Sequence, residues 1–173
     1  MVTDVNGSLR DMARRIEHHT TSPHSAEKVF GALTDETFLR DRLAAIGGPG
    51  ATLVAFDQTE ERTSYQLKQG VPAEHVPAPV KAALGGDLVI NRTETWAAGA
   101  GTVEVLVNGV PGRLEGSFTV LDDGTGSKLT LSGEVKVGIP FLGGKIEKLI
   151  AEQVAVLLDK ESEFTSEWLA NRG

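Results

Sequence analysis

The sequence has no cysteine among its 173 residues, and this absence excludes several kinds of chemistry. Disulfides, zinc sites with thiolate ligands, iron–sulfur clusters and cysteine nucleophiles all need a thiol. Aromatic residues are also scarce, at 5% of the chain, whereas glycine occurs 20 times. Stability must therefore come from the packing of aliphatic side chains, and we expect a loosely filled interior.

Positive charge is in deficit, because 17 Lys and Arg residues stand against 24 Asp and Glu residues and the net charge is −7. The field of such a chain as a whole repels nucleic-acid phosphates and anionic membranes, so general nucleic-acid binding is not expected. No apolar run approaches the ~18 residues of a membrane-spanning helix. Residues 1–11 lack the basic and apolar segments of a secretory signal, and we expect a cytoplasmic protein.

Hydrophobic periodicity predicts one domain over residues 12–173, preceded by a flexible extension at residues 1–11. Two short helices are expected after the first strand, one capped by Ser25 and one by Thr34 or Asp35. Alternating apolar residues and turn residues predict an antiparallel sheet of seven strands, at 12–21, 51–59, 62–70, 87–97, 101–108, 112–121 and 127–138.

After Pro140 the apolar period becomes helical almost to the end of the chain, which predicts one long C-terminal helix. A twisted sheet that curls around this helix can leave a cavity between them. Segment 77–86 is the longest irregular insertion between strands, so it is either a short helix or lid at the cavity mouth or a simple connector.

Three segments carry a resemblance to a known family: Ser25–Phe30, the run Val137–Glu147 that leads into the last helix, and Glu163–Leu169. Together with the element order, they resemble the START and polyketide-cyclase-like (SRPBCC) superfamily, and within it an uncharacterised, mainly actinobacterial branch. The resemblance covers about residues 12–171. It implies an α+β helix-grip fold, in which a curved sheet wraps around the C-terminal helix over a hydrophobic pocket. Members bind lipids, sterols, polyketides or plant hormones, or act as cyclases.

Polar residues inside apolar patterns are the first candidates for a site. Gln153 and Glu161 fall on the side of the last helix that is predicted to face the sheet. A buried carboxylate must be paired or protonated, so Glu161 either forms an ion pair with Arg14 or another strand arginine, or contacts a ligand.

The strand at 87–97 mixes charged and apolar residues on one face, and its orientation is left open by the pattern. If that face points inward, Arg92 can receive an anionic group of a ligand and Glu94 can hold the arginine in place. If it points outward, the two form a cross-strand pair on a wet surface.

We expect binding or transport of a small hydrophobic ligand, such as a lipid, an isoprenoid or a polyketide-like molecule. One alternative is a cyclase or dehydratase in which Tyr65, His18, Arg92 or Glu161 moves protons. A protein-interaction module is a further alternative. The four histidines show no metal-ligand spacing, and neither a metal nor another cofactor is expected. The residues expected to line the cavity are Tyr65, Leu67, Ile90, Arg92, Trp96, Leu114, Phe118, Leu131, Gln153, Val154, Leu157 and Glu161.

Overall fold

A computed structural model of the chain describes residues 13–76, 78–84 and 88–172. The expected extension at residues 1–11 lies outside the described residues, as do residues 77, 85 and 86 of the segment 77–86 and residue 87, the first of the strand predicted at 87–97.

The seven predicted strands form one antiparallel sheet in the order β1-β7-β6-β5-β4-β3-β2. Their bounds are β1 Arg14–Ser22, β2 Thr52–Gln58, β3 Thr63–Val71, β4 Leu88–Ala97, β5 Ala100–Val107, β6 Gly112–Asp123 and β7 Gly126–Val137. From β2 to β7 each strand pairs with its neighbour in sequence, while β1 pairs with β7, so the first and last described strands lie side by side. The predicted α+β helix-grip fold, with a curved sheet, is confirmed.

Two short helices follow β1, namely α1 (Ala26–Leu33) and α2 (Glu36–Ile46). The Ser25 side chain accepts a hydrogen bond from the backbone N–H of Lys28, and the Asp35 side chain accepts one from that of Phe38. Side-chain caps of this kind satisfy N–H groups that have no partner in the first turn. The cap of the second helix is therefore Asp35 rather than Thr34.

The long helix, α4 (Gly143–Arg172), has 30 residues and is about 45 Å long at 1.5 Å per residue. It packs most closely against β1 and β7. A further short helix, α3 (Ala78–Leu84), lies in the segment for which a short helix or a connector was expected. In the described part of the chain, none of the helices combines the length and the apolarity that crossing a membrane requires.

The hydrophobic core is divided into two clusters along the sheet. The main cluster joins α1, α2 and the second half of α4 to the sheet, and Phe38, Leu39 and Leu67 at its centre are fully buried. The end cluster consists of Val76, Val80, Val137 and Ile146 with the partly buried residues around them. Ile150 of α4 packs against both clusters, so the first half of the helix bridges them.

Candidate ligand-binding site

The inner face of β4 carries charged residues into the interior. Arg92 is 5% exposed, and Glu94 and Trp96 are each 1% exposed. Of the two orientations that the sequence allowed, the structure therefore has the inward one. A charged strand face can be buried only if its charges are paired and hydrogen-bonded, and the surrounding contacts meet this requirement.

The Glu94 carboxylate is held by three donors. Its Oε1 accepts hydrogen bonds from the Tyr65 hydroxyl at 3.0 Å and from Trp96 Nε1 at 2.8 Å. Its Oε2 accepts from Arg92 Nε. Because the Tyr65 hydroxyl donates its proton to Glu94, it is not available in this conformation as a hydrogen-bond donor to a ligand.

Glu161 of α4 lies between two arginines. Its Oε2 accepts from Arg92 Nη1 at 2.9 Å, and its Oε1 is 3.5 Å from Arg42 Nη1. The expected pairing of Glu161 with a strand arginine is thus present, and the partner is Arg92. Arg14 was also considered, but it is exposed on β1. We refer to Arg42, Tyr65, Arg92, Glu94, Trp96 and Glu161 as the buried network.

Arg42 was missed by the sequence reasoning, although it is 2% exposed. It lies on α2 among Phe38, Leu39 and Leu43, the other buried residues of that helix. An arginine at a position where the helical period calls for an apolar residue was the signal that could have identified it. Its guanidinium also lies over the Phe38 ring, 5.5 Å from the centroid.

Burial and the neighbouring charges shift the pKa values of three network residues, and these shifts determine which of the three are charged. Burial, followed by the charge of Glu94, raises the pKa of Tyr65 well above its usual value. Burial by itself would raise the pKa of Glu161, but the charges of Arg42 and Arg92 outweigh it and hold that pKa below its usual value. For Arg92, burial is likewise outweighed by Glu161 and Glu94, so its pKa is raised. At neutral pH, Glu161 and Arg92 are therefore charged and Tyr65 is neutral.

The low pKa of Glu161 predicts how stability depends on pH. A carboxyl with a lower pKa in the folded state stabilises the protein above its unfolded pKa of about 4.3, and this contribution is lost as pH falls through the folded value. We expect the difference in free energy of unfolding between the native protein and Glu161→Gln to be constant from neutrality to about pH 5 and to shrink below it. Urea denaturation across this pH range measures the difference.

The matched control for this prediction is Glu163→Gln, because Glu163 is exposed two residues further along the same helix. Its difference from the native protein should be small at every pH, as is usual for exposed charges. A Glu161→Gln difference that grows as the solution is acidified would contradict the inferred direction of the pKa shift.

Three buried polar atoms, two of them within the network, have no hydrogen-bond partner among the described residues: Arg42 Nε, Arg42 Nη2 and Gln69 Oε1. The first two form one edge of a guanidinium, which can donate to a single oxygen or to a pair of oxygens. Leaving a buried donor or acceptor unpaired costs about 1–3 kcal/mol, so such atoms in a folded protein call for a partner.

Two small cavities lie beneath α4. One, of about 30 Å³, is bordered by the network residues Arg42, Arg92, Glu94, Trp96 and Glu161, and by hydroxyl-bearing residues that include Ser127 and Thr165. The other, of about 20 Å³, is apolar and is lined by Val105, Val107, Leu114, Val135 and Ile150 among others. Volumes of this size hold one or two water molecules. The loosely filled interior that the composition suggested is therefore mostly occupied by the chain's own side chains.

Three residues that line the apolar cavity, Val105, Val107 and Ile150, are only half-buried. The same holds for Ile90, which pairs with Val107, and for Val154, one turn along α4 from Ile150. We define the groove by Ile90 of β4, Val105 and Val107 of β5, and Ile150 and Val154 of α4. The three strand residues lie on the same inward faces as the buried Arg92 and Val103. They remain partly accessible because α4 packs mainly against β1 and β7, which lie toward one edge of the sheet and away from β4 and β5.

Eleven of the twelve expected lining residues are buried or half-buried. Those that are buried are Tyr65, Leu67, Arg92, Trp96, Leu114, Phe118, Leu131 and Glu161; Ile90, Val154 and Leu157 are half-buried. Gln153 is exposed, and its predicted inward position is wrong. The reason is that α4 is rotated toward β1, where Ser162 donates to the Thr21 carbonyl and Ser166 to the Ser22 hydroxyl.

His18 lies outside the buried network. Its Nε2 is 2.8 Å from Asp159 Oδ1, in the seam between β1 and α4. The proton-transfer role that was considered for His18 would need it beside Tyr65 or Arg92, and the structure does not bring them together. Within residues 13–76, 78–84 and 88–172 there is also no group of three His, Asp or Glu side chains arranged to hold a metal ion.

The sequence of the chain matches a family model and several known proteins. The family model described as "Protein of unknown function (DUF2505)" matches residues 17–169. The chain belongs to this family. Uncharacterized proteins of Mycobacterium tuberculosis and Mycobacterium bovis are 30% identical over 175 residues, covering 92% of this chain and 99% of each relative. These relatives agree with the actinobacterial branch that the resemblance indicated.

Solved structures with low sequence identity share the fold. TTHA0849 from Thermus thermophilus superposes with a TM-score of 0.64 at 17% identity, over 92% of this chain and 99% of that one. A START superfamily protein from Mycobacterium smegmatis gives 0.57 at 14% identity, over 92% and 99%. The Zhui aromatase/cyclase from Streptomyces gives 0.58 at 14% identity, over 92% and 95%. The START and polyketide-cyclase-like fold is thus confirmed.

Proposed function

We propose that this protein binds a small hydrophobic molecule in the groove between α4 and the inner faces of β4 and β5. The observation that carries the proposal is the row of inward-facing aliphatic residues that remains half-buried there, next to a buried polar network. Ligand pockets combine such apolar walls with a few oriented polar groups. The START superfamily protein and the aromatase/cyclase among the structural neighbours agree with a small-molecule pocket in this fold.

Binding a lipid-sized molecule requires the groove to open. Ligand pockets are usually about 300–1,000 Å³, far larger than either cavity in this conformation. In this proposal the side chains of Ile150 and Val154 move aside, because both are only half-buried and therefore have space to change conformation. Movement there would join the apolar cavity to the groove and bring the ligand to the edge of the network.

The polar end of the ligand is neutral in this proposal. The network contains two arginines and two glutamates, Arg42 and Arg92 with Glu94 and Glu161, so its formal charges balance. A carboxylate would bring an uncompensated charge into this buried place, which is expensive. A hydroxyl or carbonyl would instead accept from the unpaired edge of Arg42, and a hydroxyl could also donate to Gln69 Oε1.

The pKa shifts and the hydrogen bonds of the network favour ligand binding over proton transfer. A general acid or base works best with a pKa near the operating pH. The shifts at Tyr65 and Arg92 are upward and the shift at Glu161 is downward, so each of these three moves away from neutrality. The Tyr65 hydroxyl and both Glu161 oxygens are also already engaged within the network.

A tryptophan placed in the groove tests the binding site. We expect Val154→Trp to weaken binding of a pyrene-labelled decanol by at least about tenfold, since the larger ring occupies the space of the ligand. Val156→Trp is the matched control, because Val156 is 47% exposed on the same helix and its substitution should leave affinity unchanged. Fluorescence titration measures the affinity, and thermal unfolding confirms that both variants are folded.

Two outcomes of this titration would contradict the proposal. Equal affinities of Val154→Trp and Val156→Trp for the decanol would place the ligand elsewhere. If Val154→Trp fails to fold, Leu157→Trp takes its place, because Leu157 is also half-buried on α4, and an affinity equal to that of Val156→Trp would have the same meaning. Tighter binding of a pyrene-labelled decanoic acid than of the decanol would contradict the neutral polar end while leaving the groove itself supported.

A further inference from the structure

The turn before α4 presents an apolar side chain to solvent in a strained backbone conformation. Phe141 is 105% exposed and has φ = 65°, and the next residue, Leu142, is 37% exposed. A bulky residue in the left-handed region costs about 1–3 kcal/mol and persists only where the surrounding structure imposes it. Because the Phe141 side chain is exposed, no hydrophobic burial within the chain offsets the cost of this backbone strain.

One backbone hydrogen bond and one bond to a side chain hold this turn in place. The N–H of Gly143 donates to the Ile139 carbonyl at 2.8 Å, and the buried Glu147 carboxylate accepts from the N–H of Val137 at 2.9 Å. Ile139 packs against the end cluster. Phe141 is thus presented on a rigid, anchored turn.

The charge around this turn is opposite to that of the chain. Lys136 precedes it, and Lys145 and Lys148 lie on the first turns of α4; all three side chains are exposed. The single acidic residue between positions 136 and 148 is Glu147, which is 5% exposed and faces inward. The exposed charges of this segment are therefore all positive, although the net charge of the chain is −7.

We propose that this turn docks the protein onto an anionic lipid bilayer, with Phe141 and Leu142 entering the interface and the lysines facing the headgroups. An aromatic and an aliphatic side chain surrounded by lysine match the interfacial zone, where apolar groups are buried and cations meet anionic lipids. At physiological salt, charges beyond about 8 Å are largely screened, so most of the acidic surface acts weakly at the turn. The exposed acidic residues that flank the lysines along the chain are Glu134, two residues before Lys136, and Glu152, four residues after Lys148.

The position of the turn suits this role. The end cluster joins Ile139 and Ile146 to Val80 of α3, and Ile150 of α4 connects that cluster to the groove. A bilayer contacted by Phe141 would lie at the end of the sheet where the groove begins. Docking itself rests only on the turn and its charges and holds whether or not the groove binds a ligand.

Sedimentation with vesicles tests the proposal. We expect the full chain to bind vesicles of mixed phosphatidylcholine and phosphatidylglycerol more tightly than vesicles of phosphatidylcholine alone. Phe141→Ser should weaken binding to the mixed vesicles by about tenfold, from the loss of one buried aromatic side chain. Lys145→Gln and Lys148→Gln should each weaken it by about fivefold, equivalent to about 1 kcal/mol per charge near the surface.

Leu121→Ser is the matched control, because Leu121 is 65% exposed and lies near the opposite end of the β6–β7 pair. It should bind the mixed vesicles as the native protein does. Equal binding of Phe141→Ser and the native protein would overturn the proposal, as would equal binding to neutral and anionic vesicles. Failure of the native protein to sediment with either vesicle would also overturn it, and would leave a protein surface as the partner of this turn.

Discussion

Replacement of Arg92 by methionine is expected to lower the free energy of unfolding by about 3–5 kcal/mol, among the largest effects of any single substitution in this protein. Arg92 contacts both glutamates of the buried network. Its loss leaves Glu161 with Arg42 at 3.5 Å, and leaves a negative charge at Glu94 with two neutral donors. Urea denaturation at neutral pH measures the loss.

Arg113→Met is the matched control for this measurement. Arg113 also forms ion pairs with two glutamates, Glu104 and Glu115, but its side chain is 59% exposed. Exposed pairs contribute about 0–1 kcal/mol, so this substitution should have little effect. Equal losses in the two variants would show that burial does not govern the strength of the Arg92 contacts.

A double variant separates the ion pair from the size of the arginine side chain. In Arg92→Met with Glu161→Gln, the second substitution removes the charge that the first leaves partly paired. The double variant is therefore expected to lose less stability than the sum of the two single losses. Additive losses would instead indicate that Arg92 stabilises the protein through its packing alone.

Replacement of Trp96 by alanine is expected to cost about 3–5 kcal/mol, for a different reason. The indole ring stacks on Phe118 with centroids 5.3 Å apart, meets the edge of Phe30, and lies over Gly101, where a Cβ would come within 2.7 Å of the ring. Removal of the ring leaves a cavity among large side chains that cannot all move into it.

The variant Trp96→Phe isolates the hydrogen bonds of the indole from its packing. Phenylalanine retains most of the ring but cannot donate to Glu94 Oε1, so we expect a smaller loss of about 1–3 kcal/mol. Thermal and urea unfolding of both variants measure these losses. A loss below about 1 kcal/mol for Trp96→Ala would mean that the interior collapses readily around this position, contrary to the close contact with Gly101.

Local sequence patterns were sufficient to predict the secondary structure. They did not predict which side chains of α4 point inward, because that depends on nonlocal contacts. Ser25 and Asp35 could be predicted as caps because a cap bonds to a backbone group three residues away. Gln153 was placed wrongly because the facing direction of α4 depends on its hydrogen bonds to β1, which no helical period contains. Glu147 was overlooked for the same reason, since its partner is the end of β7.

The candidate site shows the same division. The alternation of β4 identified Arg92, Glu94 and Trp96 as one face without saying which way it points. Arg42 was overlooked because an arginine in the first two helices has no visible partner in its own segment, and its partner Glu161 lies on the last helix. Charges of this kind become interpretable only when the elements that carry them are brought together.

The sequence by itself determined the order of the elements, the antiparallel sheet and the long final helix, because periodicity, caps and turn residues act over a few positions. Only the tertiary structure decided that the interior is closed around a charge-balanced network and that the aliphatic residues named as the groove stay half-buried. The physical reason is that a charge can be buried only beside its partner, and Arg92 and Glu161 meet across 69 residues of chain.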